Sequence, residues 1–445
     1  MTDSAPTLEQ IAASIQGYDP KALPIPAAQA FIARLVQPVT QTERVPILGA
    51  LGRVLARDVV SPFDVPPHDN SAMDGFAFRG AELSTADAVS GEMRLRIAGT
   101  GLAGQPYAGD VPPGHALRIT TGAVMPAGLD TVVPQEFARV EDDTVVFSAK
   151  VVRTGDNRRF RGEDLAAGKP AVAAGRVLRP AELGLVASLG IGELDVFRRL
   201  RVAYFSTGDE IHSIGETLAA GGVYDSNRYT VHGMLQRLGI DVLDMGVVRD
   251  DPAALEAAFT QAANEADAVI TSGGVSVGEA DHTKQIMARL GDVVFWRIAM
   301  RPGRPMAIGR IRGGARAGGH ADGPTGGRDA VLFGLPGNPV AVMVTFYSMV
   351  RDALLAMAGA TVEPMPMLRA ACVTAVRKKP GRTEYQRGTV RRREDGNYEV
   401  EIIGNQGSGV LSSMSIANGL IVLPHESGNV AAGDLVDVMP FEGLV

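Results

Sequence analysis

Apolar and polar positions follow two rhythms along this chain, and the rhythm changes near residue 201. Before it, residues 26–37 (PAAQAFIARLVQ) repeat apolar positions at helical spacing, with Pro26 suited to a first turn. The run LGALGRVLA within residues 43–60 predicts a second helix. Pro62, Pro66 and Pro67 then force an extended path. Short alternating runs follow at regular intervals, RLRIAGTG, HALRITTG, DTVVPQE and DTVVFSA, which is an all-β signature. Residues 180–191 (PAELGLVASLGI) return to helical spacing, and ELDVFRR predicts a strand. Residues 16–62 and 165–200 therefore read as one helical linker domain, with a β domain at 63–164 inserted into it.

From Arg201 strands and helices alternate: RVAYFSTGDE, SNRYTVHGMLQRLG, IDVLDMGVVRDD, PAALEAAFTQAANEA, DAVITSGG, then helical character through 283–291. This βαβαβα order predicts a doubly wound parallel sheet over 201–360. Asn227 and Pro252 fit helix starts. VVFWRIAMRPGRPMAIG predicts strands around a basic turn with Arg297, Arg301 and Arg304. The glycine-rich stretch 310–329 reads as a hairpin tip. AVLFGLPGNPVAVMVTFYSMV predicts a buried strand, a turn fixed by Pro336, Gly337, Asn338 and Pro339, and an apolar helix. Residues 363–445 return to short strands and form a C-terminal β domain, whose one glycine- and serine-rich loop, 404–413, carries Gln406 and Ser408.

The densest chemistry lies at residues 267–282, DAVITSGGVSVGEADH. An apolar strand runs into a glycine turn, and successive free N–H groups in such a turn form an anion-binding concavity. In an open α/β sheet, ligands bind at the carboxyl ends of the strands. Asp209 and Glu210, Asp250 and Asp251, and Glu279 and Asp281 each follow a strand, so all six acids are expected on that edge. A phosphate site beside carboxylates predicts a phosphate-bearing ligand bridged by a divalent cation. Two plainer accounts stay open: a tight strand-to-helix turn with solvated acids, and acids favoured at helix N-termini by the dipole.

Composition narrows the classes. At 445 residues the chain is too long for one core, and 45% hydrophobic with 21% charged residues is globular. A net charge of −7 argues against nucleic acid as a partner. The single cysteine, Cys372, excludes an intrachain disulfide framework and fits a reducing compartment. The N-terminus lacks a secretory pattern and no apolar run reads as a membrane span, so a cytoplasmic location and no membrane partner are expected.

Nine motifs in order, DNSAMDGFAF (69–78), RITTGAVMP (118–126), RRFRGED (158–164), FSTGDE (205–210), YDSNR (224–228), RDDP (249–252), SGGVSVGEAD (272–281), LPGNPVAV (335–342) and GNQGSG (404–409), resemble the MoeA family of bacterial molybdopterin molybdenumtransferases, which is similar to the gephyrin E domain. The resemblance spans roughly residues 20–440. It implies a multidomain α/β and β fold, in which 201–360 is a MoaB/Mog-like molybdopterin-binding domain. It implies a homodimer whose active-site cleft is completed by the other subunit. The implied reaction inserts molybdenum from molybdate into adenylated molybdopterin with Mg²⁺-dependent release of AMP. A molybdopterin adenylyltransferase and molybdoenzyme delivery proteins are the implied partners. Catalytic roles fall by resemblance on Asp74, Thr121, Asp164, Glu210, Asp250 and Asp281, with Glu210, Asp250 and Asp281 holding Mg²⁺. Substrate contacts fall on Arg159, on Ser206, Thr207, Gly208, Asp225 and Asn227, and on Ser272, Gly273, Gly274, Val275, Ser276 and Gly278. They continue with Arg297, Arg301, Pro336, Gly337, Asn338, Pro339 and Ser408. At 297, 301 and 304 the bacterial family often carries lysine; arginine here keeps the charge but offers a fork suited to a tetrahedral anion and cannot act as a proton donor. Two alternatives stay open: a non-catalytic molybdopterin-binding carrier or scaffold, and the adenylyl-transfer enzyme that shares the α/β fold.

Overall fold

The computed structural model describes residues 6–87, 89–275, 282–313 and 329–441. Its chain divides into two units. One comprises residues 1–56, 175–179 and 194–445; the other comprises residues 57–174 and 180–193.

The larger unit is built on a six-stranded sheet in the order Asp241–Val248, Arg201–Thr207, Ala268–Ser272, Ala330–Leu335, Pro305–Ile311, Gly291–Arg297. The first four are parallel. Pro305–Ile311 runs antiparallel to both its neighbours, so the sheet is mixed where βαβ alternation alone predicts parallel pairing throughout. The reason is the hairpin relation of Pro305–Ile311 to Ala330–Leu335, with Ile311 opposite Ala330, which needs no crossover helix. Ala268–Ser272 is buried at all five positions, as expected of a central strand covered on both faces. Helix Pro252–Glu265 starts with proline at its first position and an Asp251 carboxylate that accepts from the Ala253 and Ala254 amides at 3.1 and 2.9 Å.

Helix Ile25–Leu35 packs on the same core. It buries Ile25, Ala28, Phe31, Ile32 and Leu35, each large side chain contributing roughly 1.5–3 kcal/mol relative to exposure. Phe31 meets Trp296 edge-on at 4.9 Å, and the Trp296 indole N–H donates to the Tyr18 hydroxyl at 3.0 Å. The helix predicted over LGALGRVLA is not there. Residues 47–49 make a single 3₁₀ turn, Gly52 takes φ +72°, and Val54 and Leu55 bridge to Val177 and Val196. The apolar spacing mimics a helix, but the buried partners come from a distant part of the chain and pair as extended backbone. Helical backbone runs continuously over Pro339–Met357, long and apolar enough to cross a membrane by composition; 72% of its most apolar window is buried inside the fold.

The C-terminal strands close into a barrel. Thr383–Arg392 pairs with Tyr398–Ile402 and also with Gly419–Leu423, and Leu368–Cys372 and Leu435–Pro440 complete the ring. A two-residue strand, Met300–Arg301, joins this sheet in parallel with Thr383 and Glu384, although the residues on either side of it belong to the α/β sheet.

The smaller unit is a six-stranded sheet in the order Thr131–Pro134, Gly75–Phe78, His115–Ile119, Glu92–Gly101, Thr144–Ser148, Ala138–Glu141. Phe76, Phe78, Met93, Leu95 and Phe147 fill one face and Leu117, Ile119 and Val132 the other.

Candidate active site

At the carboxyl ends of the parallel strands the larger unit holds a cleft of about 880 Å³. Strand Arg201–Thr207 delivers Thr207, Gly208 and Glu210, the loop after Asp241–Val248 delivers Asp250, and Ala268–Ser272 delivers Gly273, Gly274 and Val275. The turn after Ala330–Leu335 adds Pro336, Gly337 and Asn338. Arg301 and Arg304 come from the turn that visits the barrel, and Gln406, Gly407 and Ser408 from a barrel loop.

The glycines are needed for different reasons. Gly273 has φ +93°, and a Cβ there would overlap the Thr207 carbonyl oxygen. Gly274 has φ +65°, and a Cβ would stand 2.7 Å from the Thr283 hydroxyl. Backbone thus lies close against backbone at Gly273, whose N–H donates to the Leu335 carbonyl at 3.2 Å and ties this turn to the next strand end.

Two carboxylates and two guanidinium groups line the same space. Asp250 donates its backbone N–H to Asp209 Oδ1 at 3.3 Å, and its Oδ1 is buried without a partner among the described residues. Glu210 folds back over Gly208, its Oε2 lying 2.7 Å from where a Cβ at that glycine would stand. Oxygen donors of this kind suit a hard divalent cation. No cluster of three or more potential ligands occurs among the described residues. Asp281 and Glu279, with Ser276 and Gly278, lie outside the described residues.

The strand-end acids divide by role. Glu210 and Asp250 line the cleft. Asp251 caps the helix Pro252–Glu265, and Asp209 accepts the Asp250 amide. The helix-dipole account therefore explains Asp251 but not Glu210 or Asp250.

Several residues predicted to contact substrate do not line the cleft. Ser206 and Ser272 are buried in a hydroxyl triangle with Tyr204, at 2.8 and 2.7 Å from its oxygen and 3.1 Å from each other. Burial, followed by the charge of Asp225, pushes the Tyr204 hydroxyl well above its ordinary value. Asp225 caps the helix Ser226–Arg237, accepting from the Arg228 amide at 3.0 Å, so the cap predicted for Asn227 belongs to Asp225. Asn227, the second residue of that helix, donates to the Gly337 carbonyl at 2.7 Å. Arg297 is exposed on the edge strand Gly291–Arg297, and Pro339 is the first residue of its helix. Asn338 occupies the cap position there but makes no side-chain cap bond.

Arg304 and Gln406, marked in the sequence only as part of the basic turn and the 404–413 loop, also line the cleft, as does Gly407, which the sequence did not mark. The Arg-Pro-Gly-Arg-Pro run was the available signal for Arg304. Arg387 carried none: it sits in a β pattern yet is 1% exposed. Its guanidinium donates to Ser413 Oγ and to the carbonyls of Asn405 and Gly407 at 3.0, 3.2 and 2.9 Å, holding the loop that lines the cleft. Burial first, then the charge of Arg301, holds its pKa below the ordinary arginine value.

Asp74, Thr121, Arg159 and Asp164 belong to the smaller unit. Asp74 Oδ1 accepts from the Thr121 amide at 2.6 Å and its hydroxyl at 2.9 Å, and these bonds hold the carboxyl below the usual carboxylate range. Arg159 pairs with Glu163 at 2.6 Å. Asp164 donates its backbone N–H to the Val65 carbonyl at 3.0 Å.

Fold and site together define an α/β protein whose strand-end cleft is lined by carboxylates, guanidinium groups and glycine turns. Known proteins narrow the class. Three family models match in succession: the MoeA N-terminal region (domain I and II) over residues 23–190, a probable molybdopterin binding domain over 203–356, and the MoeA C-terminal region (domain IV) over 369–441. A molybdopterin molybdenumtransferase of Haemophilus influenzae is 40% identical over 407 residues, covering 91% of this chain and 95% of its own. One from a Nostoc species is 35% identical over 401 residues, covering 89% and 88%. The crystal structure of a molybdopterin biosynthesis moeA protein from Pyrococcus horikoshii OT3 superposes with a TM-score of 0.77 at 26% identity, over 95% of this chain and 100% of that one. The chain belongs to the MoeA family of molybdopterin molybdenumtransferases.

Proposed function

We propose that the protein inserts molybdenum from molybdate into adenylated molybdopterin and releases AMP with the help of Mg²⁺, a late step of molybdenum cofactor biosynthesis in the cytoplasm. The observation that carries this reading is the pairing of Glu210 and Asp250 with Arg301 and Arg304 in one cleft, in a chain whose relatives bear that activity in their names. Glu210 and Asp250 would hold Mg²⁺, and the unpartnered Asp250 Oδ1 is the donor that fits it. Bound there, Mg²⁺ would neutralise charge on the phosphoanhydride. The amides of Gly208 and Gly274 would cradle phosphate oxygens, that of Gly273 being taken by the Leu335 carbonyl. Arg301, Arg304 and the Ser408 hydroxyl bind the molybdate dianion, whose charge demands donors. Water adds to the phosphorus, the anhydride P–O bond breaks, and AMP leaves with that oxygen. Arginine is fully charged throughout, so the arginines hold anions and move no proton.

The test is AMP release from adenylated molybdopterin, with and without molybdate and Mg²⁺. Release that requires the protein and is driven by both is expected. Tight binding of the adenylate with no release under any condition would overturn the insertase in favour of a carrier.

We also infer that Asp74, Thr121, Arg159 and Asp164 complete the cleft of a second copy. Asp74→Asn and Asp250→Asn should each be inactive alone. Mixed and allowed to exchange subunits, they should recover roughly a quarter of wild-type activity, because half of the dimers then hold one intact site. No recovery on mixing would sink the shared site.

A further inference from the structure

The turn Pro336–Asn338 forms one wall of the cleft, and its own helix holds it by the Val342 amide on the Asn338 carbonyl at 2.9 Å, with no bond to the Asn338 side chain. Asn338 stands at the cap position and makes no side-chain cap bond, so its amide is left on the cleft side. The orphan amide of Val340 in the first turn is satisfied from outside the helix, by the Ser408 carbonyl of the barrel loop at 3.1 Å. On the other side the Gly337 carbonyl takes the Nδ2 proton of Asn227 at 2.7 Å. Asn227 is 8% exposed, does not line the cleft, and lies in the first turn of a helix that Asp225 caps independently. Its Oδ1 has no partner among the described residues, and the Gly337 carbonyl, which can only accept, sets the amide's orientation.

We propose that Asn227 is a positioning residue for the oxyanion end of the cleft: through Gly337 it sets the turn and thereby the placement of Asn338, without touching the ligand. This rests on the molybdate-binding reading above. The rival account is a direct contact from Asn227 Oδ1 to substrate. The two differ in what the side chain must keep. Positioning needs the Nδ2 donor, whereas direct contact needs only the oxygen.

The experiment compares Asn227→Ala and Asn227→Asp in the full-length protein, each alone and combined with Asn338→Ala. Loss of one neutral hydrogen bond of about 1–1.5 kcal/mol corresponds to roughly a tenfold rise in KM for molybdate, with kcat changed much less. Asn227→Asp should be at least as damaging as Asn227→Ala, since it sets a carboxylate against a carbonyl. In the Asn338→Ala background the effect of Asn227→Ala should shrink, because both act through one turn. Full additivity, or an Asn227→Asp variant that binds better than Asn227→Ala, would overturn the proposal. A readout independent of turnover is hydrogen exchange across residues 336–342, which should speed up in Asn227→Ala. Unchanged exchange there also overturns it. A wild-type protein that released no AMP would instead count against the functional reading, and the exchange result would still decide the role of Asn227.

Discussion

Asp250→Asn is expected to slow AMP release by about 10²- to 10³-fold while leaving the melting transition within a few degrees of wild type. The side chain lines the cleft, and its Oδ1 is buried with no partner among the described residues. Asparagine keeps the shape and removes the anion, and on the proposed role of Asp250 in holding Mg²⁺ several kcal/mol of transition-state charge stabilisation would go with it. The neighbour supplies the control. Asp251 caps helix Pro252–Glu265 with two amide bonds, so Asp251→Ala should cost about 1 kcal/mol of stability and leave the rate nearly intact. Equal rate losses in the two variants would mean that the strand-end acids act as a diffuse negative field and that Asp250 has no special place.

Gly273→Ala is expected to lower stability by about 2–4 kcal/mol and to weaken AMP binding more than tenfold. Two separate penalties meet at this residue, a left-handed backbone and a Cβ driven into the Thr207 carbonyl. Gly381 separates them: it has φ +92° in the same unit, but a Cβ there meets nothing within 4 Å. Gly381→Ala should therefore cost only the backbone strain, about 1–2 kcal/mol. Calorimetric melting of both variants with AMP titrations checks this. Identical costs at the two positions would remove the close approach of the two strand ends as the reason for the glycine.

Much of this was legible in the chain. Strands such as Arg201–Thr207 and Ala268–Ser272 announce themselves because a strand covered on both faces is a continuous apolar run, and the glycines after it mark the strand end. Proline and aspartate before Ala253 mark the helix start just as plainly. What escaped reading depends on partners far away in sequence. LGALGRVLA carries helical spacing, but Leu55 pairs with Val196 across more than a hundred residues. Asp225 and Asn227 are both good caps, and only the Gly337 carbonyl explains why the second is used elsewhere. Arg387 looks like one more polar residue on an alternating strand, and its burial follows from the loop carrying Asn405 and Gly407, with Ser413, folding over it. The cleft's acids are legible because they follow strands, whereas which acid lines the cleft and which one caps is decided by a single backbone step between Asp250 and Asp251.

The two-residue strand Met300–Arg301 has a bearing on attempts to divide the protein. The chain leaves the α/β sheet after Arg297, lends Met300 and Arg301 to the barrel beside Thr383 and Glu384, and returns at Pro305. A fragment ending near residue 360 would keep every strand of the α/β sheet, yet Arg301 would lose the backbone that holds it. Such a fragment could fold well and still bind oxyanions poorly, so a trimmed protein that is stable but inert would report a missing anchor and say nothing against the chemistry of the cleft.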